Sequence, residues 1–396
     1  MKRLITLTTA TCAVILLLMY AYQYWFAPPL SPSTIRVGFV FDGDESISYT
    51  YNFSLARDEL KQRYGDRVEI LTRSNVLENQ TEESLRELVQ SGCDIIFLNG
   101  YSAQVIEMAR AYPDVQFCQA SYRSFSGETV PGNYHSFKGE AFQARYVTGA
   151  AAGMALREMI DRGELRPEQA LVGYVAAFLD PEVISGYTAF LMGVRSAAPE
   201  AVLRVRCTQT WSSFSREKQA AAELLEEGCV VIGQHTDTIG PALACEEAAQ
   251  TRTVYHVGYN QSMLNIAPRA ALIAGRIDWA PYVTGAVEAL MNDRRIEQTV
   301  QGAVHGNDMS AGFDQGWVEV MDLNSTLAAP GTQERINELT AQFRRGKKSF
   351  AYACDCTAVS AENPGVTISL REGYTENAES SYPSFYYHLP ELITIE

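Results

Sequence analysis

From Thr34 to about Gly258 the chain alternates between short apolar runs of strand character and segments whose apolar residues recur at helical spacing. Strands are expected at Ile35–Phe41, Val68–Thr72, Asp94–Leu98 and Val115–Gln119, with helices at Thr50–Tyr64, Thr81–Ser91 and Ser102–Ala111. Such alternation brings strands together in parallel and covers the sheet with helices on both faces. After a long helix at about Gly139–Arg162 the pattern restarts. Strands then fall near Leu171–Ala176, Ala201–Cys207, Val230–Gly233 and Val254–Gly258, separated by helices near Pro181–Ala197, Ser215–Glu227 and Ile239–Gln250. Local sequence repeats as well: SGCDIIFLNG at 91–100 and EGCVVIGQHT at 227–236 share a small residue, a cysteine, an apolar strand and a polar exit. The expected fold is therefore α/β with two similar lobes, and 396 residues exceed what one hydrophobic core usually supports.

In open α/β sheets ligands approach the carboxyl ends of the strands, so two facing lobes make a cleft there. The segments just after each strand are the candidates. Tyr49, Tyr51, Tyr101, Phe178, Trp211, Trp279 and Tyr282 all fall at or near such exits. Any one of them equally suits a core, but together they suit a slot for a flat ring, with Asp237, Asn260 or Asn52 selecting its hydrogen-bonding edges. Asp278 lies in the same kind of segment. His235, Thr236 and Asp237 share one post-strand loop, where binding a polar ligand is a simpler account than catalysis, because no activated nucleophile is recognisable. GFVFDGD at 38–44 lacks both the dinucleotide glycine spacing and the phosphate-loop lysine. No catalytic residue and no cofactor is expected. A net charge of −15 would repel nucleic acid.

Lys2 and Arg3 precede an uncharged run from Leu4 to Phe26, with prolines at 28, 29 and 32 as a break. At about 1.5 Å per residue that run spans the roughly 30 Å hydrocarbon layer, and its leading cations favour a cytoplasmic start. The aromatic stretch Tyr20–Phe26 suits an interfacial belt and offers no small-x-small cleavage site. A single-pass anchor at the cell membrane, with everything beyond it extracytoplasmic, is accordingly favoured over a cleaved signal peptide. Cys12 lies before the apolar core, where a lipidated cysteine does not. Of the remaining cysteines, Cys93, Cys118, Cys207, Cys229 and Cys245 read as small buried thiols. Cys354 and Cys356 form a C-x-C pair with no second pair or nearby histidine, a weak basis for zinc; no metal site is expected.

YVAAFLDPEVISGYTAFLMGVRSAAPEA at 174–201, TWSSFSREKQAAAELLEEGCVVIGQHTDT at 210–238, VGYNQSM at 257–263 and APRAALIAGRIDWAPYV at 267–283 resemble the basic membrane protein family of extracytoplasmic binding proteins. That family includes purine nucleoside receptors serving ABC-type importers, and the likeness runs from about Ile35 to Trp317. The resemblance implies a type I periplasmic-binding architecture, no enzymatic activity, a purine nucleobase or nucleoside held between the lobes, and an ABC permease and ATPase as partners. It places Tyr49, Tyr51 and Asn52 on the first lobe's ligand loop, Phe178 and Trp211 as ring contacts from the second lobe, and Asp237 and Asn260 as polar contacts. A lysine common in the nucleoside receptors falls at Gly275 here, which tilts the ligand towards a nucleobase. Crossovers between lobes are expected near Asn133, near Arg276 and after Gln301. The corresponding division is an anchor at 1–30, lobe 1 at 33–134 with 277–302, lobe 2 at 135–276 with 303–345, and a C-terminal extension at 346–396. A membrane-tethered sensing module and an exported nucleoside-processing enzyme are the competing functions, the first favoured by the anchor and the second lacking a nucleophile or metal cluster.

Overall fold

The computed structural model of the chain describes residues 34–120 and 129–396. The apolar run at 4–26 lies outside them, and no helix among the described residues is long and apolar enough to cross a membrane. The first part comprises strands β1 (Ile35–Val40), β2 (Val68–Arg73), β3 (Ile95–Leu98), β4 (Gln116–Gln119) and β5 (Tyr134–Gly139), with α1 (Ser48–Tyr64), α2 (Thr81–Gln90) and α3 (Gln104–Ala111) between them. The second comprises α4 (Phe142–Asp161), β6 (Leu171–Ala176), α5 (Pro181–Arg195), β7 (Val202–Cys207), α6 (Phe214–Glu226), β8 (Val231–His235), α7 (Gly240–Ala248), β9 (Tyr255–Tyr259) and β10 (Ala271–Ile277). The chain returns to the first lobe with α8 (Ala280–Met291), α9 (Ile296–Thr299), β11 (Ala303–His305) and β12 (Asp308–Ala311), then re-enters the second with β13 (Val318–Met321) and α10 (Thr332–Arg344).

Each lobe is built on one seven-stranded sheet, ordered β11-β12-β5-β4-β3-β1-β2 in the first and β13-β10-β9-β8-β6-β7-β17 in the second, where β17 is Ile393–Ile395. Pairing is parallel except for β11 against β12 and β13 against β10. The repeated decapeptides fill equivalent places: Cys93 and Cys229 are buried just ahead of β3 and β8, each following a glycine at positive φ (Gly92 at 78°, Gly228 at 98°) that ends the preceding helix.

The first and third lobe boundaries differ from the sequence expectation. β5 pairs with β4 and β12 in the first sheet, and β12 carries β11 beside it, so 134–139 and 303–311 belong to lobe 1. The local pattern conceals β5 because YHSFKG is half polar yet wholly buried, its polar groups being satisfied by distant partners. His135 meets Glu297 at 2.6 Å, Ser136 donates to Asp308 at 2.6 Å, and Lys138 donates to Glu182 at 2.6 Å.

Lobe 1 is cored by aromatics, with Phe137 stacked on Tyr282 at 3.7 Å and Trp279 leaning on Phe53 at 5.0 Å. In lobe 2, α4 and α5 approach until backbone touches backbone: a Cβ on Gly193 would lie 2.0 Å from the Tyr146 carbonyl oxygen. The C-terminal segment, whose packing the sequence left open, joins lobe 2. It forms a small antiparallel sheet of β14 (Thr357–Ser360), β15 (Thr367–Ser369) and β16 (Tyr387–His388), and ends in β17, parallel to β7. Tyr352 is buried between Phe142 at 5.6 Å and Phe385 at 4.5 Å. Cys354 and Cys356 are joined as a disulfide; Cys93, Cys118, Cys229 and Cys245 are buried free thiols and Cys207 is half-buried.

Candidate functional site

The strand ends of the two lobes enclose a cavity of about 300 Å³. Lobe 1 contributes Asp42 after β1, Ile47 and Tyr49 at the start of α1, Asn99 to Tyr101 after β3, and Lys138 from β5. Lobe 2 contributes Glu182 from the first turn of α5, Trp211 and Ser212 after β7, Asp237 after β8, and Tyr259 at the end of β9.

The lobe 1 wall is held by a small polar network. Asn99 accepts from the Asp42 backbone N–H at 2.9 Å and donates to the Thr50 hydroxyl at 3.2 Å, while Thr50 donates to the Asp42 carboxylate at 3.3 Å. Tyr49 donates to the Asn99 carbonyl at 3.1 Å, which fixes its ring edge-on to Trp279. Desolvation within the cleft raises the carboxyl of Asp42, a residue that nonetheless keeps exposed surface.

Contacts between the lobes complete the cavity. Ser48 of α1 donates to Asp237 twice at 3.1 Å, from its backbone N–H to the carbonyl and from its hydroxyl to the carboxylate. α1 has no side-chain cap of its own, so a carboxylate from the opposite lobe lies at its electropositive end. Burial nevertheless pushes the Asp237 carboxyl up to about 8. Asn52 donates to Asn260 at 3.3 Å and to the carbonyl of Ile277, where β10 leaves for lobe 1.

At one end of the cavity Lys138 and Glu182 form an ion pair across the lobes, with side chains only 3% and 9% exposed. Burial acts to raise the Glu182 carboxyl, but Lys138 and His235 together hold it well below the usual range. The His235 Nε2 lies 3.8 Å from the Glu182 carboxylate. Burial, reinforced by the Arg145 guanidinium, lowers this imidazole to about 4 and keeps it neutral. Arg145 lies 4.0 Å over the Tyr259 ring and donates to the Gln234 carbonyl at 2.8 Å.

Among the residues singled out from sequence, Tyr49, Tyr101, Trp211 and Asp237 line the cavity. Phe178 packs edge-on to Trp211 at 5.5 Å and supports it from behind. Asn52 and Asn260 are buried at the junction of the lobes, Asn260 in a left-handed conformation with φ of 60°. His235 and Thr236 are buried behind the wall, His235 against Tyr259 at 4.7 Å. Four more of these residues lie away from the cavity. α1 begins at Ser48, so its buried face runs through Asn52, Phe53, Ala56 and Leu60 and turns Tyr51 out to 38% exposure. Asp278 accepts from the Ala280 N–H at 3.0 Å and serves the start of α8. Trp279 is buried in the lobe 1 core, as is Tyr282.

Lys138 and Glu182 were missed, since β5 had no strand signature and Glu182 reads as an ordinary first-turn acid. Gly275, where a missing lysine had tilted the ligand towards a nucleobase, sits under α4, with a built Cβ at 3.0 Å from that of Ala144. The position faces that helix in this chain.

Residues 35–347 match the model of the PnrA-like ABC transporter substrate-binding proteins, also called Bmp. This chain belongs to that family. A purine-binding protein of Brucella abortus is 28% identical over 270 residues, covering 67% of this PnrA-like chain and 71% of its own length. A Haloferax volcanii protein named for glucose binding in an ABC transporter is 28% identical over 265 residues, or 66% of this chain and 62% of that protein. Among solved structures, an ABC transporter solute-binding protein of Aeropyrum pernix superposes with a TM-score of 0.64 at 18% identity, over 79% of this chain and 92% of the other. One from Conexibacter woesei gives 0.58 at 19% identity, over 79% and 97%. These structures share the two-lobed α/β fold. PnrA-like proteins are substrate-binding components of ABC transporters and not enzymes, so the buried, neutral His235 has no proton-transfer task to perform.

Proposed function

We propose that this PnrA-like chain captures a purine nucleobase or nucleoside between its lobes and presents it to an ABC permease and ATPase, from the outer face of the membrane and tethered there by the apolar segment at 4–26. The observation that carries this reading is the cavity itself. Tyr49 and Tyr101 from one lobe and Trp211 and Tyr259 from the other line it, together with the carboxyls of Asp42, which is exposed, and Asp237, which is buried. Aromatic faces bind a flat heterocycle by stacking, worth about 1–3 kcal/mol per base, and carboxyls accept from ring and exocyclic N–H groups. The cavity's 300 Å³ is at the lower end of the roughly 300–1,000 Å³ range of small-molecule sites, which suits one compact ring system. The purine-binding name of the Brucella abortus relative supports the same ligand class.

The test is a thermal-stability titration of the purified full chain with adenine, guanine, hypoxanthine and their nucleosides, with glucose as the competing ligand. A ligand that binds only the folded form raises Tm in a concentration-dependent way. A shift with purines and none with glucose is expected; a shift with glucose alone would overturn the purine reading.

A further inference from the structure

Arg145 is buried beside the cavity wall without lining the cavity, and the proposed function gives it no task. It stands in the first turn of α4, where the chain has just crossed from β5 into the second lobe. An arginine is not deprotonated in a protein, so burying one is costly unless its surroundings meet the charge. Here Nη1 donates to the Gln234 carbonyl at 2.8 Å, while Nε and Nη2 have no hydrogen-bonding partner among the described residues. What the guanidinium does have is the face of Tyr259, whose ring centroid lies 4.0 Å from its carbon. The Tyr174 ring is farther off, at 6.0 Å.

Tyr259 does line the cavity, and a second neighbour braces it. His235, at the end of β8, packs its imidazole 4.7 Å from the ring at a tilt of 58°. The helix α5 leaves room for both supports: a Cβ on Gly186 would lie 2.9 Å from the His235 Nδ1 and 3.8 Å from the Arg145 Nε. A cation over an aromatic face counts for most where both are shielded from water, and Arg145 and Tyr259 are only 3% and 4% exposed. The buried guanidinium thus holds the plane of a ring that a ligand meets.

We propose that Arg145 is a positioning residue for ligand binding: its guanidinium fixes the Tyr259 ring in the cavity wall and so sets the affinity for a stacked heterocycle without touching it. A ring held in place before the ligand arrives has little freedom left to lose on binding, and that preorganisation appears as affinity. The hydrogen bond to Gln234 is a competing route of action. Gln234 Nε2 donates to the carbonyls of Thr236 and Thr238, at 2.9 and 3.0 Å, and shapes the loop that carries Asp237. Only the first route depends on the Tyr259 ring.

This inference rests on the purine reading, and the experiment separates the two. Hypoxanthine and adenine are titrated calorimetrically into the full chain and Arg145→Met, and into the same pair made in Tyr259→Phe and Tyr259→Leu backgrounds. Phe keeps the aromatic face and Leu removes it, and thermal unfolding confirms that each protein is folded. Arg145→Met is expected to weaken the better-bound base by about threefold to thirtyfold in the unsubstituted and Tyr259→Phe backgrounds, the range of a buried cation over a ring, and by less than about twofold in Tyr259→Leu. The same loss in all three backgrounds would assign the effect to the Gln234 carbonyl and overturn the inference. So would an affinity that Arg145→Met leaves unchanged. Where Arg145→Met does not fold, Arg145→Gln, neutral but still able to donate, carries the same cycle. If the unsubstituted chain binds neither base, the purine reading itself falls, and this inference with it.

Discussion

Trp211 and Tyr51 have nearly the same exposure, 36% and 38%, yet only Trp211 lines the cavity, so they make a matched pair for testing the wall. Trp211→Ala should weaken ligand binding by about 1–3 kcal/mol, the worth of one stacked ring, with little change in Tm. Tyr51→Ala, on the exposed face of α1, should leave affinity unchanged; equal effects of the two on calorimetric affinity would misplace the aromatic wall. Asp237 offers a second residue-scale test, in pH. Its carboxyl ionises at about 8 in the folded, ligand-free protein and near 4 in an unfolded chain. Between those limits the folded state holds the extra proton, so this group's contribution to stability is complete below about pH 4 and is lost as pH rises towards 8. Asp237→Asn removes that dependence. Thermal melts from about pH 5 to pH 8 should show Tm falling more steeply for the unsubstituted chain than for the variant, and parallel slopes would show that Asp237 ionises freely. The wall was partly legible in the residues alone: aromatics and an acid at strand exits are a local signal. Tyr51 misled because one residue of helical phase at Ser48 decides which of two neighbouring tyrosines turns inward.

At the scale of elements, the strands and helices that alternate by period are readable to within a few residues, because each carries its own apolar signal locally, as a continuous run in the wholly buried β3 or at helical spacing in α2. What escaped was held by contacts across long sequence separations. β5 carries His135, Ser136 and Lys138 inward, and only Glu297, Asp308 and Glu182, far along the chain, make that burial tolerable. A window of ten residues contains none of those partners, which is also why the lobe boundary was drawn a strand early and Lys138 was overlooked. The α4–α5 pair shows another constraint of this kind. Gly149 and Gly193 let the helices meet, with built Cβ atoms 2.2 Å from the Phe190 carbonyl oxygen and 2.0 Å from that of Tyr146. Those neighbours are backbone and cannot swing away. Gly193→Val should therefore force the helices apart and cost about 1–3 kcal/mol or more, read as a lowered midpoint in denaturant; an unchanged midpoint would show that the pair separates freely.

For the whole molecule, the segment beyond the family match at residue 347 behaves as part of the second lobe rather than as an appendage. Tyr352, Phe385 and Leu389 are almost fully buried, and they cover Phe142 and its neighbours on α4 and α10. Glu376, buried with them, accepts from the Phe385 N–H at 3.0 Å and lies 3.3 Å from the Ser185 hydroxyl of α5. The same segment reaches the first lobe. Ser381 donates its N–H to Asp308 of β12 at 2.6 Å, and Lys348 donates to Glu140, beside the first crossover, at 2.7 Å. Each large apolar side chain buried here is worth about 1.5–3 kcal/mol, so the segment as a whole supplies a substantial share of the stability of a folded domain. Truncation after Gly346 should leave a protein that aggregates or melts far below the full chain. Removal of 393–396 alone takes away one edge strand and the Arg206–Glu396 ion pair, and should lower Tm only modestly. If the longer truncation melts like the full chain, the tail's aromatic contacts contribute no net stability and lobe 2 is complete without them. If it does not, the small sheet is a structural layer of this chain's second lobe, and binding measurements belong on the protein that carries it.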